Sequence, residues 1–430
     1  MKPYTFLEMN AEERVHGYIE EREEEIIEYL RSLIAIPTQA VPGENYDKIA
    51  NYIGEKLSGL GFETAVYDAP DDYMETSGRD ILGLEGPRSN LVATLRRGSG
   101  PTLHLNAHTD TVPVTPEGWT VDPFAGTIKD GRVYGRGACD DKGELAAMVY
   151  AAEAVIQSGV ELDGGLILTA TPDEEIGGIA GLGYLINEGL VKADLGVGID
   201  GNFGNLMIAT NGRVRWKLET HGLAVHSARA HTGVNAIEKM SKIVLAIADY
   251  RRDVLLKRQV DVPVSPEAKT DKLSAMINVG SIEGGLAPNI VPDRCSIIVD
   301  RRTLYTEKLE DVRAEFHGVV DGVAAEDPEV NAVITEINFR EGTYIEPTHP
   351  WVQEVKGIYE GVTGIPIPIY GAAGSADMCY QINQGGWPCM GLGVGDKESR
   401  GHGVDENVKI SEVIDLTKVV ASIILAKLAA

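Results

Sequence analysis

Five residues of metal-binding type stand in short, distinctive phrases: His108 in LNAHTD, Asp140 in GRGACDDKGE, Glu175 in TPDEEIGG, Asp200 in GVGID and His402 in GHGVDE. Two imidazoles and three carboxylates can hold two divalent cations with one carboxylate shared between them. Mixed nitrogen and oxygen donors suit zinc, with cobalt or manganese in its place. Two such ions sharing a water generate hydroxide near neutral pH and polarise a carbonyl, so the chemistry expected is hydrolysis. Taken singly, each residue has a plainer role. A buried histidine satisfies local hydrogen bonds. Glu174 and Glu175 could face a helix start. Asp140 could cap the helix beginning near Lys142, with Glu144 in its first turn. The reading rests on the complete set.

Such residues need elements that aim them at one point. Apolar spacing predicts a helix from Ala11 to Leu33, ended by IPTQAVPGE, and another from Tyr46 to Leu60, ended by Gly61. Strand-like runs follow: NLVATL at Asn90, TLHLNA at Thr102, GLILTA at Gly165, DLGVGI at Asp194 and CMGLGV at Cys389. Helices intervene at Lys142 to Gln157 and Gly181 to Glu188. This alternation predicts an α/β domain with a mostly parallel sheet and flanking helices. His108, Glu175, Asp200 and His402 each follow the carboxyl end of a predicted strand, where open α/β sheets build their crevices.

From about Gly212 the texture changes. VRWKLETHG, SAMINVGSI, CSIIVDRR and NAVITEINF read as strands, with helices at Asn235 to Tyr250 and Glu307 to Val319. This is an α+β pattern of antiparallel type, compact enough to be its own domain. From Glu346 helix–strand alternation resumes and delivers His402. The organisation expected is a metal-bearing domain of residues 1–211 and 343–430, with residues 212–342 inserted. The loop Arg258 to Asp271 reads as surface.

Length agrees with two domains at 430 residues. The balance of 39 basic against 65 acidic residues gives a net charge of −26, and no basic stripe is present, which argues against nucleic acid or an anionic membrane as partner. The first thirty residues hold no apolar leader, and no segment reaches the roughly 18 uninterrupted apolar residues of a membrane span; a cytoplasmic location is expected. Cys139, Cys295, Cys379 and Cys389 form no CxxC pair, so they are expected to be small buried residues rather than a disulfide framework or thiolate site.

HTD, GRGACDDKG, DEE, HSARAHTGVNAI, GGLAPNIVP and GHGVDE occur in this order. Together they resemble the di-zinc amidohydrolase and peptidase family of acetylornithine deacetylase, succinyl-diaminopimelate desuccinylase, aminoacylase and glutamate carboxypeptidase, over roughly Glu24 to Leu425. The resemblance implies that His108 and Asp200 bind one metal, that Glu175 and His402 bind the other, and that Asp140 bridges, with a cis peptide at Asp140–Asp141. It implies that Asp110 orients His108 and that Glu174 is the general base, taking a proton from the bridging water and passing it to the leaving nitrogen. His226 would stabilise the oxyanion. Asn289 and Arg302 would hold a substrate carboxylate, with Arg302 preferred to its neighbour Arg301, and Gly374 and Asp377 would line the site. The inserted domain would be a lid and dimerisation domain, making a homodimer.

Three phrases depart from the family pattern. Ala230 stands where a proline is usual, Gly374-Ser375-Ala376-Asp377 replaces Gly-Thr-Ser-Asp, and Cys139 takes the place of a small or hydroxyl residue. All touch the substrate side. The activity implied is hydrolysis of a C–N amide bond in a small carboxylate-bearing substrate such as an N-acyl amino acid or dipeptide. Hydrolytic deamination or other unusual C–N cleavage on the same scaffold, a non-catalytic binding relative and a dinuclear phosphoesterase are the competing readings; the retained Glu174 speaks against a pure binding role.

Overall fold

In a computed structural model, residues 10–115, 117–264 and 271–430 are described. Residues 1–9, within the stretch read as lacking an apolar leader, and 265–270, inside the Arg258 to Asp271 loop, lie outside them. The chain divides into two units: Met1–Ile208 with Ile345–Tyr370 and Ala376–Ala430, and Ala209–Tyr344 with Gly371–Ser375.

The first unit is built on a mixed sheet in the order Glu63–Asp68, Ser89–Arg97, Gly164–Thr171, Thr102–His108, Leu195–Ile199, Gly391–Leu392, Leu206–Thr210. The four strands from Gly164–Thr171 to Gly391–Leu392 run parallel, and the flanking strands are antiparallel. The parallel character expected from the sequence is therefore that of the sheet's centre. Its strands are almost wholly buried, as strands covered on both faces must be. Parallel direction gives those strands a common carboxyl end.

Helix Lys142–Gln157 is buried from Lys142 through Val155, since it is apolar nearly all round, and helix Ile410–Leu428 packs against it. A small antiparallel sheet pairs Asn407–Lys409 with Arg132–Tyr134, setting Asn407 opposite Tyr134. That register brings the GHGVDE phrase beside GRGACDD although they are far apart in sequence.

The second unit has a four-stranded antiparallel sheet in the order Met276–Gly284, Arg294–Thr303, Gly212–His221, Asn331–Arg340. Burial alternates along Gly212–His221, so one face is packed. Helices Ala236–Asp253 and Leu309–Glu326 supply the packing, with Trp216 stacked on Phe316 at 4.1 Å between ring centroids. Asn235 caps the first of these helices by accepting the N–H groups of Ile237 and Glu238.

Three predicted elements differ in detail. The Ala11 to Leu33 helix is two helices, Ala11–Glu20 and Glu23–Ile34. The break puts Glu23, Glu24 and Glu25 in a first turn, where the helix dipole favours acidic residues. The Gly181 to Glu188 helix begins as a π-type turn over Ile179–Gly183, with non-helical backbone at Gly181, where an added Cβ would lie 2.1 Å from the Pro172 carbonyl oxygen. CMGLGV forms only a two-residue strand, Gly391–Leu392. Among the described residues no helix is long and apolar enough to cross a membrane.

Candidate metal centre

His108 is the last residue of its strand. Its backbone N–H donates to Asp141 Oδ2 at 2.7 Å. Its ring nitrogen Nδ1 lies 3.0 Å from the carbonyl oxygen of Asp110 and 3.3 Å from that residue's Oδ1. These acceptors take the Nδ1 proton, so Nε2 is the nitrogen that a metal would meet. Nε2 points to Asp140 Oδ1 at 2.9 Å. The other oxygen of Asp140 is 2.9 Å from His402 Nε2, which is also 3.0 Å from Glu175 Oε1. Asp140 thus stands between two imidazoles with one oxygen turned to each.

Asp140, Glu175 and His402 place ligand atoms within 4.8 Å of one another. His108 joins this set through Asp140. Asp200, just past Ile199, feels the charges of Glu174, His108 and Asp140 but lies outside that cluster. The Asp140–Asp141 peptide is cis. Asp141, not Asp140, is the cap position of the following helix, and it makes no side-chain cap bond.

Glu174 and Glu175 leave the Gly164–Thr171 strand in a tight turn whose first residue, Asp173, has φ 68°. Asp110 accepts the backbone N–H of Glu174 on one oxygen and that of Glu175 on the other, both at 3.1 Å. One buried carboxylate therefore sets the His108 ring and the backbone of the Glu–Glu pair. Asp173 is fastened in turn by buried Arg88, whose Nε donates at 2.9 Å, and by the Tyr46 hydroxyl at 3.1 Å. Burial still pushes the Asp173 carboxyl up to about 6. Sequence reasoning missed Arg88, Tyr46 and Asp173. The available signal was a third carboxylate in TPDEE with no role.

Negative charge is crowded here. Burial, then the charge of Asp140, lifts Glu175 to about 7, and burial, then Glu174, lifts Asp200 well above the usual carboxylate range. Burial also opposes ionisation of Asp140, but bonds from His108 and His402 outweigh it and hold that group low. Bonds to Asp140 and Glu175 raise His402 to about 11. Burial opposes the protonated form of His108, yet Asp141, Asp110 and Asp140 overcome it. A cluster that draws protons so strongly onto its imidazoles is one that divalent cations would neutralise, and the donors are those zinc accepts. Cys139 is buried. Burial, then Glu406, pushes its thiol well up, so no thiolate nucleophile forms there.

The other predicted residues, Asp377 apart, belong to the second unit. His226 is exposed, and its Nδ1 accepts the N–H of Ala228 at 3.1 Å. Asn289 lies beside it: the Ser227 N–H donates to the Asn289 carbonyl, and His226 bridges to Ile290. Arg301 is buried and bonded to Glu307 at 2.6 Å. Arg302 is partly exposed and meets Asp300 through Nε at 2.7 Å; its terminal nitrogens have no hydrogen-bond partner among the described residues. Gly374 is exposed, and a side chain there would meet nothing. Asp377, in the first unit, accepts from the Thr171 hydroxyl at 3.4 Å.

The sequence model described as peptidase family M20/M25/M40 matches residues 104–426. An N-formyl-4-amino-5-aminomethyl-2-methylpyrimidine deformylase of Bacillus subtilis is 26% identical over 95% of this chain and 96% of its own. An acetylornithine deacetylase of Proteus mirabilis is 30% identical over 70% of this chain and 73% of its own. In fold, the chain is similar to the di-peptidase Dug1p of Saccharomyces cerevisiae, with a TM-score of 0.80, 17% identity and coverage of 97% of this chain and 98% of that one.

Proposed function

The chain belongs to peptidase family M20/M25/M40 and is a metal-dependent hydrolase of amide C–N bonds in small substrates; from that premise we propose that it removes the acyl group of an N-acyl amino acid or cleaves a dipeptide, with Glu174 as general base. The observation that carries this reading is Asp140 standing between His108 and His402, with Glu174 held on the same turn as Glu175. Two divalent ions, zinc in the first place, would be held by His108 and Asp200, by Glu175 and His402, and by Asp140 in common. When bound they supply Lewis acidity and a more acidic water. Glu174 takes the proton of the attacking water and returns it to the departing nitrogen. His226 fits an oxyanion donor, because an Nδ1 that accepts from Ala228 leaves the proton on Nε2. Arg302, with its terminal nitrogens available, and Asn289 would take the substrate carboxylate; residues 212–342 would act as lid and dimerisation domain.

A second reading, cleavage of a formamide that bears no carboxylate, is favoured by the end-to-end match to the Bacillus subtilis deformylase. Amine release from zinc-loaded protein, measured over N-acyl amino acids, dipeptides and N-formyl amines without a carboxylate, separates the two. The expected result is turnover of carboxylate-bearing substrates. Arg302→Met should raise their KM by about 10-fold or more, since a charged hydrogen bond contributes about 1.5–3 kcal/mol, with metal content unchanged. Turnover confined to formyl amines and indifferent to Arg302 would establish the second reading.

A homodimer is proposed through the second unit. Leu245 and Ile282 are 66% and 62% exposed on helix Ala236–Asp253 and on the edge strand Met276–Gly284, and an unpaired edge beside apolar side chains favours a second copy. Leu245→Glu combined with Ile282→Glu should shift the sedimentation coefficient from dimer to monomer; a wild type that sediments as a monomer would end this proposal. A cytoplasmic setting is supported by four cysteines that are all free and buried.

A further inference from the structure

Arg136 and Glu406 form an ion pair in which both side chains are 1% exposed. Arg136 precedes Asp140 by four residues, and Glu406 follows His402 by four. Nη1 of Arg136 donates to Glu406 Oε2, while Nη2 reaches the carbonyl oxygens of His402 at 3.3 Å and Pro113 at 3.5 Å. The second oxygen of Glu406 accepts the N–H of Cys139, the residue before Asp140, at 3.2 Å. The Glu406 carbonyl oxygen accepts the N–H of Gly135 at 2.9 Å, continuing the register that sets Asn407 opposite Tyr134. One end of the pair thus grips the backbone ahead of Asp140, and the other grips the carbonyl of His402. His402 has φ 65°, a conformation that non-glycine residues keep only where the surroundings impose it.

We propose that the Arg136–Glu406 pair is a positioning device for the metal centre, setting the spacing of Asp140 and His402 through their backbone and thereby the affinity for metal. It rests on the reading of Asp140 and His402 as ligands. Among the described residues neither side chain of the pair bonds to the side chain of a proposed ligand. Their chemistry suits this role, because a guanidinium fork can meet a carboxylate and a carbonyl at once, and a carboxylate has an oxygen left for an amide.

The test separates positioning from folding. Apolar replacement of both partners of a buried pair commonly preserves stability, whereas removing one leaves an uncompensated charge. Arg136→Met with Glu406→Leu should therefore unfold, after chelation, at the wild-type temperature, yet bind zinc about 10–100-fold more weakly in competition with a chromophoric chelator. Its cobalt form should show an altered visible spectrum. Glu406→Gln keeps only one of the two acceptor oxygens in use and leaves Arg136 without its counter-charge, so it should be less stable than the double variant and should also bind zinc more weakly. Wild-type zinc affinity and cobalt spectrum in the folded double variant would overturn the proposal. If that variant does not fold, Arg136→Lys decides, since it keeps the charge and loses the fork: weaker binding supports positioning, and unchanged binding overturns it. His402→Ala is the control for the underlying reading. If it keeps its full complement of zinc, the ligand assignment has failed, whatever the pair does.

Discussion

Glu174→Gln is expected to lower kcat by about 10²–10⁴-fold, the usual worth of a positioned acid–base group, in protein that retains its metal. Glu175→Gln, one residue on, should instead lose metal. The two carboxylates share one turn, and the Asp110 carboxylate holds the N–H of each at 3.1 Å, so neither change disturbs the backbone that aims the other. Their side chains differ in company: Glu175 reaches His402 at 3.0 Å and belongs to the set of close ligand atoms, and Glu174 does not. Turnover and metal content measured on the same two preparations check both halves. A Glu174→Gln protein that has lost its metal would move that residue into the ligand set. One that turns over at the wild-type rate would remove the general base from the mechanism.

Most of the candidate ligand phrases stand out because the strands before them are short, apolar and buried on both faces. A polar residue just beyond such a strand stands out, and parallel direction gathers the ends. His108 ends one strand and Glu175 follows its neighbour for this reason. Legibility ended where partners are distant in sequence or where a local preference yields to packing. Arg88 and Asp173 are 85 positions apart, and Arg136 and Glu406 are 270 apart. No periodicity relates such pairs, and a charged residue in a phrase looks alike whether it is solvated or buried. The Ala11 to Leu33 stretch kept its apolar spacing across the break at Glu21 and Arg22, so spacing alone could not show two helices. In the second unit the alternation along Gly212–His221 and the cap at Asn235 are local signals, and they are where the chain follows them. Burial distinguishes Arg302 from Arg301 where the sequence does not, since adjacent strand residues face opposite sides and it is Arg301 that turns inward to Glu307.

Asp140→Asn is expected to abolish metal binding altogether, a larger loss than substitution of either histidine. Its two oxygens lie 2.9 Å from His108 Nε2 and 2.9 Å from His402 Nε2, so among the described residues it is the carboxylate that stands between the two imidazoles. An amide would present an N–H₂ group to one side, repelling a cation there, and would remove the shared negative charge. Wild-type protein should unfold at a lower temperature after chelation, because ions that bind only the folded state stabilise it by about 2.7 kcal/mol at 100 times their dissociation constant. Asp140→Asn should show no such shift on adding either chelator or zinc. The substitution also leaves both imidazoles without their shared counter-charge. His402 then depends on Glu175 alone for its elevated basicity, and its titration, followed by NMR, should move down in the chelated variant. A variant that still gained unfolding temperature with zinc would show that the halves of the centre bind independently, and Asp140 would no longer be the bridge.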